Sequence, residues 1–227
     1  MKQKMYSAIE KHMLSCMTDG AHDGFHVYRV LYAALDIAKA YSIDSDVLIA
    51  ACLLHDIGRN AQFKDPECDH AATGGDIAYD FLRGIGWDAD KAGHVKECIS
   101  SHRYRNSRPP ETIEAKILYD ADKLDVTGTL GIARTLAYKG IVSEPLYAVD
   151  ETGNVTAGDS SEQPSFFREY NFKLANVYDK FFTGRAKEIA DERKKASAGF
   201  YKNMVNEVSS IHQIGLQLLK NVIETEG

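Results

Sequence analysis

Val47-Leu48-Ile49-Ala50-Ala51-Cys52-Leu53-Leu54 is an unbroken apolar run that delivers His55-Asp56 side by side before Ile57-Gly58 closes it. A stretch this apolar belongs in a core, yet it carries an imidazole and a carboxylate into that core. Burying an unpaired carboxylate costs at least several kcal/mol, about as much as the net stability of a domain. Something must compensate the charge, and a metal ion is the simplest candidate. The doublet is therefore where the chemistry is expected.

Helical periodicity extends in both directions from this run. Val27, Val30, Leu31, Ala34, Leu35 and Ala38 recur at three- and four-residue steps and predict a helix over Gly24 to Tyr41. Asp44 or Ser45 can cap the helix that leads to His55, and Gly58 can end it. Further helices are expected from about His70 to Leu82 and from Asp88 to about His102. Another is expected from Thr112 to Leu124, after the Pro109-Pro110 break, continuing through Arg134 to Tyr138. Turn chemistry fills about 141–164, where Asp150 to Asn154 and Gly158 to Glu162 stand out. Helical spacing returns over Phe166 to Phe182 and Ala186 to Ile223, and no convincing strand alternation is present. The expected fold class is all-α, a single domain over 1–227 with a loop excursion around 141–164. Such a long loop could be a domain linker or a lid over a site, with an idle loop as the default reading.

Composition narrows the partners. The 227 residues are 44% hydrophobic and 26% charged, as in a globular chain, and the net charge of −6 offers no basic field for nucleic acid or anionic membrane. Cys16, Cys52, Cys68 and Cys98 form no CxxC pair and read as free thiols. The first residues alternate charge with apolar positions and contain no signal-peptide block, and no stretch approaches a membrane span. A cytoplasmic protein is expected, with no membrane and no nucleic acid polymer as partner. The amphipathic helices from Phe166 onward could pack in cis or form a homodimer face.

Polar groups interrupt the apolar faces of five helices near one end each: His22 and His26, His55-Asp56, His70, His102, and Asp120, Asp122 and Asp125. Imidazole plus carboxylate suits Mn, Mg, Fe, Ni or Zn as a divalent ion, and an open site of this kind suits water activation and phosphoryl polarisation. A structural zinc site would use thiols in a closed set, which this sequence does not offer. Spacing alone leaves Asp122 and Asp125 equivalent, because they share a helical face.

His26-Val27-Tyr28-Arg29-Val30, Leu53-Leu54-His55-Asp56-Ile57-Gly58 and Ala121-Asp122-Lys123-Leu124 together resemble the HD superfamily of metal-dependent phosphohydrolases. The resemblance covers about residues 20–135. It extends to Ala186–Arg193, which is similar to the C-terminal helix of a bacterial subgroup. It implies an HD-type helical bundle with a metal-binding core over about 20–135 and C-terminal helices over about 165–224. It also implies His26, His55, Asp56 and Asp122 as ligands of one divalent ion, with Asp122 matched by its Ala-Asp-Lys-Leu context.

Related two-metal proteins carry extra histidines between the doublet and the last aspartate. By that resemblance His70 and His102 are candidates for a second ion or for the substrate phosphate, with His22 and Arg103 beside them. The bland reading makes them helix-terminal histidines, His102 gaining from the helix dipole. His22-Asp23 is a second doublet in a polar stretch, more consistent with a local cap. Where some HD nucleotidases place an acid after the doublet, this chain has Arg59-Asn60, which opens the identity of the general acid. Arg59, Arg103, Arg105 or Lys123 could meet a phosphate. Asp56, His102 and Arg59 are the expected catalytic groups.

The resemblance implies hydrolysis of a small phosphorylated substrate, a nucleotide. Nucleoside triphosphate pyrophosphohydrolase activity is the specific expectation, with nucleotide monophosphatase or phosphodiesterase as the alternative. A non-catalytic metal- or nucleotide-sensing module is the competing class.

Overall fold

A computed structural model describes residues 1–17, 24–65, 67–103, 109–156, 158 and 163–225. Ten α-helices lie among them: α1 Gln3–Cys16, α2 Gly24–Ala38, α3 Ser45–Leu54, α4 Arg59–Lys64, α5 His70–Gly84, α6 Ala89–Ser101, α7 Ile113–Leu124, α8 Gly128–Ile141, α9 Phe166–Phe172 and α10 Gly184–Thr225. The described residues form no strand, only an isolated bridge between Val149 and Val155. The all-α expectation holds. No helix among the described residues is long and apolar enough to cross a membrane.

Contacts divide the chain into two compact units, Met1–Asp125 with Phe181–Lys187, and Val126–Lys180 with Glu188–Gly227. In the first, α3 is apolar on nearly every side and packs against α1, α2, α6 and α7. A helix apolar all round must be surrounded, which is why seven of its ten residues are buried. Asp44 starts it, its carboxylate accepting from the Asp46 and Val47 amides. Asp69, Asp88 and Thr112 cap α5, α6 and α7 in the same way, so the side chains that begin and end these helices are held in register. In the second unit, Ile132, Phe166, Phe167, Tyr170 and Leu174 form the core, with Tyr201, Met204, Val205 and Val208 of α10 packed against it.

Three expectations change. The helix predicted from Thr112 through Tyr138 is two helices, broken at 125–127: Asp125 caps α7, and Gly128 takes φ +67, a conformation that ends a helix path. The helix predicted over Phe166 to Phe182 stops at Phe172 and continues only as a 3-10 turn over Leu174–Asn176. Two helices, α1 and α4, are present where none is predicted. α1 buries Ile9 and Met13 among charged neighbours, too sparse a pattern to read from sequence.

Asp120 holds the 181–187 segment to the first unit. It is fully buried in α7 and accepts from the Phe182 amide at 3.0 Å, the Thr183 amide at 2.7 Å and Thr183 Oγ1 at 2.6 Å. Burial pushes its carboxyl up, and these donors pull the other way. Asp120→Ala leaves the amides without acceptors, which costs about 2–3 kcal/mol. Thermal unfolding is expected about 4–10 °C below the unmodified chain. An unchanged midpoint by circular dichroism would show that the clasp contributes nothing.

Candidate metal centre

The C-terminal end of α3 turns His55 and Asp56 inward, and neither is more than 1% exposed. His55 Nδ1 donates to the carbonyl of Cys52 at 2.8 Å, which leaves Nε2 as a lone pair aimed into the site. His102 repeats the device at the end of α6, its Nδ1 2.6 Å from the Ile99 carbonyl. His26 enters from the first turn of α2. Its Nδ1 meets Asp125 Oδ2 at 2.7 Å, and Arg29, one turn on, clamps the same carboxylate through Nε at 2.8 Å and Nη2 at 3.0 Å. A carboxylate behind an imidazole fixes ring orientation and raises the basicity of the other nitrogen.

Both oxygens of Asp56 are buried and lack a hydrogen-bond donor among the described residues. Arg59 Nε lies 2.8 Å from Oδ2 but out of line for a hydrogen bond. Four imidazole Nε2 atoms ring the carboxylate instead: His26 and His55 at 3.5 Å from Oδ2, His70 at 3.7 Å and His102 at 3.8 Å from Oδ1. These separations are too long for good hydrogen bonds. They resemble the spacing of atoms that share an ion, since two ligands about 2.1 Å from one centre lie about 3.0–3.4 Å apart. His26 Nε2 and His55 Nε2 are 3.3 Å apart, and Asp122 Oδ1 lies 3.4 Å and 3.9 Å from them. The donor set fits a divalent ion. His26, His55 and Asp56 form one group able to hold it, and Asp56, His70 and His102 form a second.

The charges agree with this geometry. Burial pushes Asp56 up, but the His55 and His26 imidazoles and the Arg59 guanidinium hold it well below the usual carboxylate range. Asp122 is likewise held down against burial by His26. Burial would lower His26, and Asp122, Asp125 and Asp56 overcome it, raising the ring to about 10. Burial lowers His55 to about 4 and His70, with Arg59 opposing its proton as well, to about 3. The carboxylates thus face neutral His55 and His70 rings and hold a proton on His26 that a metal ion would displace, an arrangement that attracts a cation.

The structure brings His26, His55, Asp56, Asp122, His70 and His102 together. Arg59 sits on Asp56, and Arg103 Nη1 lies 2.9 Å from His70 Nδ1. His22, Asp23 and Arg105 lie outside the described residues. The two aspartates of α7 and the one that caps it face three ways: Asp120 to Thr183, Asp122 to the Nε2 atoms, and Asp125 to the far side of His26. Sequence reading misses Arg29 and Gln62 as supports. Gln62 Oε1 is 2.7 Å from His70 Nδ1 and leaves His70 Nε2 facing Asp56. Arg29 carries a signal, one turn from His26 on the same helix; Gln62 carries none. Gly58 also matters, because it lets the start of α5 cross close enough to place His70.

Residues 24–127 match the HD domain family. The chain carries an HD domain. Across a longer span it is similar to the Bacillus subtilis protein YpgQ, 27% identical over 214 residues that make up 92% of this chain and 96% of YpgQ. A solved structure of YpgQ in complex with ADP superimposes with a TM-score of 0.69 at 24% identity, covering 89% of this chain and 97% of that one. An HD-superfamily hydrolase from Bacillus thuringiensis gives 0.67 at 28% identity, over 90% and 96% of the two chains. A predicted HD-superfamily hydrolase from an uncultured Thermotogales bacterium gives 0.60 at 27%, over 90% and 92%. The HD-domain chain thus shares the fold of HD-superfamily hydrolases, and its buried His/Asp groups are able to hold a metal.

Proposed function

We propose that the HD domain is a metal-dependent phosphohydrolase acting on a nucleotide, with a nucleoside triphosphate cleaved to release pyrophosphate. The observation that carries this reading is the buried Asp56 carboxylate, without a hydrogen-bond donor among the described residues and ringed by four imidazole nitrogens. His26, His55, Asp56 and Asp122 would hold one divalent ion. Such an ion, when bound, lowers the pKa of a water and polarises a phosphoryl oxygen. Asp125 and Arg29 keep His26 aimed at it. Arg59 and Arg103 stand where they can meet phosphate oxygens and offset negative charge as it grows. His102 presents an Nε2 lone pair, which can take a proton from a water beside Asp56. The ADP complex of YpgQ supports a nucleotide as ligand.

A second reading places another ion between Asp56, His70 and His102. It is favoured by His70 Nε2, which is buried, has no hydrogen-bond partner among the described residues and faces Asp56 Oδ1. Metal analysis separates the two. With one ion, His70→Ala keeps the full metal content; with two, the content falls by half.

The test of function is a release screen across nucleotides with Mn²⁺, Mg²⁺ and Ni²⁺, reading orthophosphate and pyrophosphate separately. Pyrophosphate from triphosphates is expected. Orthophosphate from monophosphates, or cleavage of a diester, would move the activity to a phosphatase or phosphodiesterase. Metal uptake with no release from any substrate would identify a sensing module.

A further inference from the structure

Three of the four imidazoles around Asp56 turn Nδ1 to a group that can only accept. His55 Nδ1 meets the Cys52 carbonyl at 2.8 Å, His102 Nδ1 the Ile99 carbonyl at 2.6 Å, and His26 Nδ1 the Asp125 carboxylate at 2.7 Å. Each of these acceptors calls for a proton on Nδ1.

His70 differs. Its Nδ1 lies 2.7 Å from Gln62 Oε1, an acceptor, and 2.9 Å from Arg103 Nη1, which can only donate. Nη1 is also 3.5 Å from Gln62 Oε1, so the amide turns its oxygen towards the guanidinium. One ring nitrogen cannot serve both neighbours. With a proton on Nδ1 it donates to Gln62 and sets an N–H against the N–H of Arg103. With a lone pair on Nδ1 it accepts from Arg103, and the proton of the neutral ring sits on Nε2. Nε2 is buried, has no hydrogen-bond partner among the described residues and stands 3.7 Å from Asp56 Oδ1. A lone pair there makes His70 a ligand beside Asp56 and His102; a proton there removes it from the set. Arg103 outweighs Gln62 in this contest, because a hydrogen bond from a charged donor is about twice as strong as a neutral one.

We propose that Arg103 is a positioning residue that couples the substrate phosphate to the second ion, a coupling that rests on the reading of Asp56, His70 and His102 as an ion site. Docked on His70, Arg103 holds the ring with its proton on Nε2. Drawn off by a phosphate, it leaves Nδ1 to Gln62, and Nε2 is freed for a cation. The net charge of the ring does not change: Nε2 gives a proton to water and Nδ1 takes one up. Arg103 is half-buried, two residues beyond the end of α6, and its planar fork suits a phosphate. Charge favours the same order, since a docked guanidinium repels a cation beside Asp56. By linkage, a filled second site tightens phosphate binding by the same factor.

Mn²⁺ titration of the full chain, followed by electron paramagnetic resonance without nucleotide, separates the two sites by affinity. Arg103→Met is expected to bind the second ion at least about tenfold more tightly than the wild type, because the ligating ring state is no longer the minor one. Loss of a mere support would loosen the ion instead. Relief of charge alone would also tighten it, so Arg103→Met/Gln62→Leu decides: without the acceptor for Nδ1–H the gain should vanish. Nitrogen-15 NMR of the full chain freed of metal reads the ring itself, the His70 signals being those lost in His70→Ala. The wild type should show the Nε2–H form, and Arg103→Met, or the wild type with inorganic pyrophosphate, the Nδ1–H form. Unchanged or weaker second-ion binding in Arg103→Met, a gain that survives Gln62→Leu, or a ring that ignores pyrophosphate would each overturn the coupling and leave the second ion in place. A second ion absent from every variant at saturating Mn²⁺ would overturn the coupling together with the two-ion reading.

Discussion

Asp56→Ala is expected to leave the helices in place and to lower metal-dependent hydrolysis by at least about a thousandfold. Asp56 is the residue common to both candidate metal groups, with one oxygen turned to His26 and His55 and the other to His70 and His102. Removing it takes a ligand from each. The folding consequence is small. Burial of the carboxylate is costly, but His55, His26 and the Arg59 guanidinium offset it, so the metal-free variant should unfold close to the metal-free parent. The parent should gain thermal stability when a divalent ion is added, since an ion that binds only the folded state stabilises it by mass action. Asp56→Ala should show no such gain. Full metal occupancy in the variant, measured by elemental analysis, would overturn the ligand assignment whatever the activity does.

Gly58→Ala is expected to damage the same site through the backbone. A Cβ there would stand 2.2 Å from the His70 carbonyl oxygen and 2.7 Å from the Gly74 nitrogen. Both are main-chain atoms, so no side-chain rotation relieves the clash. The start of α5 must move away, and His70 moves with it. Overpacking of this kind costs about 1–3 kcal/mol, a fall of roughly 2–12 °C in the unfolding midpoint for a chain of this length. Activity should fall further than stability alone explains. Gly74→Ala is the control from the other side of the crossing, where the added Cβ is 3.2 Å from the Gly58 nitrogen, and it should be milder. Equal behaviour of both variants and the parent would mean that the crossing relaxes freely.

Gly58 also marks where sequence reading ends. It reads as a helix terminator, yet in the structure it leads directly into α4, and its missing side chain is needed for contact with Gly74. The apolar run, the capping aspartates at 44 and 88, and the histidines at helix ends are legible because each is a local signal. Burial of the doublet follows from the run alone. What spacing cannot separate is Asp122 from Asp125. Both lie on one face, and only the approach of Arg29 and His26 from α2 decides which carboxylate stands behind the imidazole and which stands before it. The break between α7 and α8 hides for a similar reason: apolar spacing continues across it, while the backbone of Gly128 does not.

The Asp120 clasp has a consequence for anyone cutting this protein into pieces. The family match ends at residue 127, but the donors for Asp120 arrive at 182 and 183, and α1 brings Ile9 and Met13 to the core before residue 24. A fragment trimmed to the motif would keep His26, His55, Asp56, His70, His102 and Asp122 and still expose α3 on one side and strand a buried carboxylate on another. The compact unit that holds the site is longer than the matched region at its N-terminal side, and it is discontinuous in the chain.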